Sequence, residues 1–121
     1  MDAPKRAREC LFCKIIDGSL PSQKVLETPR VLAFRDISPQ APEHVLIVPK
    51  THVSNLGEVR PEHGAVFQEV FEAAQQVVAK LGLSEKGYRT VFNTGAHACQ
   101  TVFHLHLHLL GGAQMGGSMV G

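Results

Sequence analysis

Apolar and polar positions change period several times along this chain, and each change marks an element. Leu11 to Asp17 is a short apolar stretch that stops at Gly18, which suits one or two helical turns. Lys24 to Glu27 and Val31 to Arg35 predict two short strands around a turn at Thr28-Pro29-Arg30. The segment from Ser38 to Pro42 is a rigid connection, because each proline fixes its own φ and extends the residue before it. His44 to Val48 is β-branched and apolar, the pattern of a central strand. Val66, Val70, Ala74, Val77 and Leu81 recur at helical spacing, with Phe67, Phe71 and Val78 beside them. That helix should start near Pro61 and stop at Gly82. Tyr88 to Asn93 predicts a strand, Thr94 to Gln100 a turn or loop, and His104 to Leu110 a last strand. Strands outnumber helices and connections are short, so the pattern predicts an α+β domain: an antiparallel sheet with helices on one face.

The alternation in His104-Leu105-His106-Leu107-His108-Leu109-Leu110 carries more than a fold. Alternate side chains of a strand point to opposite faces. Leu105, Leu107 and Leu109 would then face the core, and His104, His106 and His108 would form a row with a repeat of roughly 7 Å. A solvent-facing row would more naturally hold Lys, Glu and Thr. Imidazoles placed so can share one anionic group or one metal. A zinc site made of these three alone is the weaker reading, because zinc prefers ligands gathered from several elements. Asn93-Thr94-Gly95 and Gln100-Thr101 lead into the strand with amides and a hydroxyl, groups that suit phosphoryl oxygens.

Composition narrows the class. A chain of 121 residues suits one domain. Hydrophobic residues make up 44% and charged residues 19%, the balance of a globular chain. A net charge of +1 gives no electrostatic reason to bind nucleic acid, and Lys5, Arg6 and Arg8 suit a solvated tail. No apolar run approaches the ~20 residues of a membrane span. Met1 to Glu9 lack the apolar core of a signal peptide, so the expected location is the cytoplasm. Three cysteines are an odd number for a disulfide framework, and in a reducing compartment Cys10 and Cys13 are thiols or metal ligands.

The histidine alternation resembles the signature of the histidine-triad superfamily, His-φ-His-φ-His-φ-φ with φ apolar. Gln100-Thr101-Val102-Phe103 precedes it as that pattern expects. Asp36 to Pro42, His44 through Pro49-Lys50, Phe12 to Ile16 and Gly111 to Met115 are similar to the same family, so the likeness runs from about Cys10 to Met115. The ending Leu110-Gly111-Gly112 resembles the nucleotide-binding Hint branch. The resemblance implies a five-stranded antiparallel sheet with one long and one short helix, continued across a homodimer. It divides the chain into a tail over 1–9, one domain over 10–115 and a glycine-rich tail over 116–121.

It also implies roles. His106 matches the family nucleophile, which attacks an α-phosphorus and forms a nucleotidyl-histidine intermediate. His108 would bind the phosphate and handle proton transfer, and His44 would support the nucleophile from an adjacent strand. Asn93, Gln100 and Thr101 would hold the phosphate and leaving group. Asp36 would accept bonds from ribose hydroxyls, and Phe12, Ile15, Phe34 and Ile37 would form the slot for the base. The expected substrates are purine nucleoside 5′-phosphoramidates of the AMP-amine or AMP-lysine type, without magnesium. Two other functions fit the same residues: hydrolysis of dinucleoside polyphosphates, and a nucleotide-binding regulatory module with incidental hydrolysis. Cys10-Leu11-Phe12-Cys13 can hold one zinc ion given two more ligands, and the family places these at His52 and His104. The chain departs from the pattern at Cys99, at His97 and in its tail, which lacks tryptophan. His63, in the first turn of the long helix, is expected to be a surface residue.

Overall fold

The computed structural model describes residues 10–117, so the expected tail over 1–9 and positions 118–121 lie outside the described residues. Five strands form one antiparallel sheet: β1 (Lys24–Glu27), β2 (Val31–Arg35), β3 (Glu43–Pro49), β4 (Tyr88–Val91) and β5 (Leu107–Gly111), in the order β1-β2-β3-β5-β4. A short helix α1 (Leu11–Ile16) precedes them, and a long helix α2 (Gly64–Leu81) joins β3 to β4. A single 3₁₀ turn over Pro61–His63 leads into α2, and Gly82 ends it in the left-handed conformation at φ 70°. His63, expected at the surface, is half-buried, and its Nδ1 accepts the Arg60 N–H at 2.9 Å. Among the described residues no helix is long and apolar enough to cross a membrane.

β2 and β3 are buried on both faces, and that decides where the helices sit. Val31, Ala33, Val45, Ile47, Leu107 and Leu109 pack with Val66, Val70, Ala73, Val77 and Val78 of α2. Leu32, Phe34, Leu46 and Val48 point the other way and pack with Cys10 and Phe12 at α1. The expectation of both helices on one face is therefore corrected: α1 lies opposite α2, because the central strands carry apolar side chains on both sides. Phe71 was expected beside the buried stripe of α2 and is instead 53% exposed. Leu109 is fully buried in the α2-side core. Leu109→Ala should cost about 2–5 kcal/mol, measured as a lower denaturant midpoint at unchanged slope.

The structure also corrects the last strand, which begins at Leu107 rather than His104. β3 pairs with β5 from Glu43↔Gly111 to Ile47↔Leu107, and Pro49 ends β3. The Pro49 carbonyl accepts from the His104 ring at 2.7 Å, and the Leu105 N–H goes to Val53 O at 2.6 Å. With those groups committed, the ladder cannot extend back through 104–106. The three histidines therefore do not form one straight row. His108 alone belongs to the strand, and His104 turns into the interior, fully buried.

Candidate active site and metal centre

β3 and β5 set the first part of the site. Leu46 lies opposite His108 and His44 opposite Leu110, so His44 and His108 are diagonal neighbours on the face away from α2. Their rings meet through His44 Nε2 and His108 Nδ1 at 2.9 Å. The His106 ring lies 4.8 Å from that of His108 and edge-on to Phe12 at 5.0 Å between centroids. Asp36, just after β2, places Oδ2 3.6 Å from His44 Nε2, and its Oδ1 accepts the Ser38 N–H at 2.7 Å.

Backbone groups dictate which nitrogen of each ring carries hydrogen. The Gln40 N–H donates to His44 Nδ1 at 3.1 Å, so the His44 hydrogen is on Nε2. His44 Nε2–H then donates to His108 Nδ1, which leaves the His108 hydrogen on Nε2. His106 Nδ1 lies 2.7 Å from the His104 carbonyl, which can only accept. The His106 lone pair is therefore on Nε2. The site thus pairs a ring offering a lone pair with a ring offering an N–H. All three are neutral at pH 7. Burial lowers His106 and His44 below the usual histidine range, and burial with the neighbouring His106 and His44 lowers His108 to about 4.

A cleft of about 370 Å³ opens over these rings, a size that suits a small-molecule ligand. Phe12, Ile15, Phe34, Asp36, Ile37, Asn93, Gln100, Thr101, His106 and His108 all line it, as does Cys99. Ile37 is 97% exposed, so it stands at the rim rather than within a closed slot. Cys99 has φ 62°, a conformation in which glycine is the unstrained residue, and its thiol is exposed. It stands apart from the other two cysteines. His97 is exposed in the short turn before it.

Gln100, expected with Asn93 and Thr101 to hold the phosphate and leaving group, lines the cleft but has its side-chain amide committed within the protein. Gln100 is 5% exposed, and its Nε2 donates to Ser54 O at 2.7 Å and Val102 O at 3.2 Å. Its Oε1 accepts the Gly95 N–H at 2.9 Å. The side chain folds the loop between β4 and β5 and has no donor left for a ligand. Sequence reasoning missed Gln40 altogether. Its contribution is a backbone N–H, which no side-chain pattern reveals; the only hint is its place between Pro39 and Pro42.

Beneath the cleft a second cluster forms. Cys10 caps α1, Cys13 lies within it, His52 follows β3 and His104 precedes β5. Their ligand atoms lie within 4.8 Å of one another. Cys10 Sγ is 3.4 Å and Cys13 Sγ 3.5 Å from His104 Nδ1, and Cys13 Sγ is 3.4 Å from His52 Nδ1. A tetrahedral metal about 2.3 Å from sulfur and about 2.0 Å from nitrogen would separate those atoms by about 3.5 Å. His104 donates from Nε2 to Pro49 O, so its Nδ1 lone pair faces the sulfurs. Burial lowers His104 to about 4, which keeps it in the neutral ligand form. Burial and the adjacent Cys10 thiol push Cys13 up to about 12, the shift a bound divalent cation reverses. Donor set and spacing therefore fit a Cys₂His₂ zinc site.

Asp36, His44 and His108 also bring three ligand atoms together. Here the hydrogen positions oppose a metal. The Gln40 N–H holds His44 Nδ1 as an acceptor, so Nε2, the nitrogen facing the cluster, carries the proton.

The HIT domain family model matches residues 17–115. The chain is 42% identical over 110 residues to the purine nucleoside phosphoramidase of Escherichia coli K12, covering 91% of this chain and 92% of that protein. It is 46% identical over 107 residues to the 14 kDa zinc-binding protein of Zea mays, covering 87% and 83%. A solved structure, a HIT family hydrolase from Clostridium thermocellum, superposes with TM-score 0.89 at 48% identity, covering 93% of this chain and 97% of that one. With a five-stranded sheet of the same form and the histidine signature in place, the chain belongs to the HIT domain family.

Proposed function

We propose that the protein hydrolyses purine nucleoside 5′-phosphoramidates to the nucleoside monophosphate and a free amine. The observation that carries this reading is the complementary pair of rings: His106 offers a lone pair at Nε2, and His108 beside it offers Nε2–H. In the first step His106 Nε2 attacks the α-phosphorus, and the P–N bond breaks. The departing nitrogen takes a proton through His108 and leaves as the amine. In the second step water attacks the nucleotidyl-histidine and passes a proton back to His108, and the monophosphate leaves with His106 restored. Two easier displacements replace one hard one.

The remaining residues support positions rather than bonds. Asp36 at the cleft wall suits ribose hydroxyls, Asn93 and Thr101 suit phosphoryl oxygens, and Phe12, Ile15 and Phe34 suit a purine face. Neither step calls for magnesium. The similarity to a purine nucleoside phosphoramidase supports the substrate class. The similarity to a zinc-binding protein supports zinc at Cys10, Cys13, His52 and His104. An ion held there would tie α1 to the segments that follow β3 and precede β5. We take the unit to be a homodimer in the cytoplasm: β4 is an edge strand with half-exposed Tyr88, and the cysteines are free thiols.

Release of AMP from adenosine 5′-phosphoramidate without added magnesium tests the reading, and diadenosine polyphosphates test its rival. Faster turnover of the dinucleotides would overturn the phosphoramidate assignment. The pH dependence has a definite sign. Only the neutral His106 ring can attack, and burial holds it below the usual 6.5. Turnover should be level through neutral pH and fall on the acid side only, below pH 6.5, in a profile of kcat/KM.

A further inference from the structure

The metal cluster and the nucleophile share residues. His104 turns its ring towards Cys10 and Cys13 and its carbonyl, 2.7 Å away, towards His106 Nδ1. Phe12 sits between the two cysteines in sequence, is 5% exposed, and lies edge-on to both His104 and His106. Two of the groups around the His106 ring therefore belong to segments that would hold the metal, and the His108 ring at 4.8 Å is the third neighbour. The sheet holds these groups from one side only: Phe12 leans on Phe34 of β2 at 5.4 Å between centroids, and the His104 ring bonds the Pro49 carbonyl at the end of β3, so a metal at the cysteines would complete the hold from the other side. The Cys13 N–H donates to Cys10 Sγ at 3.3 Å and caps the first turn of α1, which carries Phe12.

We propose that the Cys10–Cys13–His52–His104 centre is a positioning device for the nucleophile: a bound zinc ion fixes the His104 carbonyl and the Phe12 ring, which together orient His106. His104 and Phe12 are positioning residues in this account. The inference rests on His106 being the nucleophile, but its physical content is narrower. Occupancy of the metal cluster sets the hydrogen position and orientation of the His106 ring. Sub-ångström placement matters here, because displacing a reacting group by about 1 Å can cost up to about a hundredfold in rate.

The test uses the full chain loaded with Zn²⁺ alone, and the same chain after chelation. Ring ¹⁵N–¹H correlation spectra report the tautomer of His106 directly. With zinc, His106 should show one tautomer with hydrogen on Nδ1; without it, a mixture. The kcat for AMP release should fall at least about tenfold on chelation, with KM moving less, and should return with added Zn²⁺. Val77→Ala, which trims the distant α2 core, is the control for lost stability. It should leave the His106 spectrum and kcat unchanged. If the chelated chain unfolds, His52→Ala serves instead. It spares His104 and both cysteines, and added Zn²⁺ should still move the His106 signals. A chain that takes up no zinc overturns the proposal, as does a His106 spectrum indifferent to zinc in both forms. Absence of AMP release from every form would instead refute the proposed activity, and the spectra would still decide the coupling.

Discussion

His106→Ala should abolish turnover of adenosine 5′-phosphoramidate, by about 10⁴-fold or more, while AMP still binds. The size follows from the role. A group that forms and breaks the covalent intermediate has no substitute among the residues lining the cleft, and removing such a nucleophile costs several orders of magnitude in other hydrolases. The His108 ring faces His44 through Nδ1 and is not placed to attack. Binding should survive, since the ring contributes at most one hydrogen bond to a bound monophosphate, about tenfold in affinity. Calorimetric titration with AMP and a turnover assay on the same sample measure both. Turnover within tenfold of the parent would remove His106 from the chemistry. Loss of AMP binding together with turnover would make the variant's fold the first suspect.

Stripping the metal centre should lower the melting temperature on the order of 10–20 °C. The four ligand residues come from the start of the chain, the segment after β3 and the segment before β5. A metal that binds them only when they are assembled stabilises the folded state by mass action, about 4 kcal/mol when free metal exceeds its dissociation constant a thousandfold. For a domain this size that is the stated shift in melting temperature. The dependence on pH has one direction. His104 is held at about 4 when folded and titrates near 6.5 when unfolded, so the unfolded chain binds more protons between those values. Stability should therefore fall as the pH drops from 6.5 towards 4, and protonation of the thiolates adds to the loss. Scanning calorimetry with and without chelator measures it. An unchanged melting temperature, with one equivalent of zinc removed, would contradict a structural role for the metal.

Much of this architecture was legible in the residues because local chemistry and tertiary packing agree. The turn at Thr28-Pro29-Arg30 delimits β1 and β2, and both strands end where expected. Gly82 stops α2 because only a left-handed residue could turn the chain there. Leu107 and Leu109 fill the core while His108 faces the cleft, as alternation requires. Two of the departures have a common cause, which is that backbone groups leave no mark on side-chain pattern. His104 looks like a strand residue until the Pro49 carbonyl and the Val53 carbonyl take the groups that would extend the ladder. Gln100 resembles a phosphate ligand by type, yet three backbone groups consume its amide. The placement of α1 opposite α2 was implicit in the double burial of β2 and β3, which the one-face expectation overlooked.

The central claim is that His106 Nε2 forms a bond to phosphorus, and its most direct measurement is the mass of the protein during turnover. The chain is mixed with excess adenosine 5′-phosphoramidate and quenched within one turnover in alkali, where a phosphorus–imidazole bond survives. The account predicts an adenylyl group on the peptide containing His106 and none on the His106→Ala protein. Continued release of AMP with no nucleotide ever found on the protein would mean that water attacks phosphorus directly, and the nucleophilic role of His106 would be wrong.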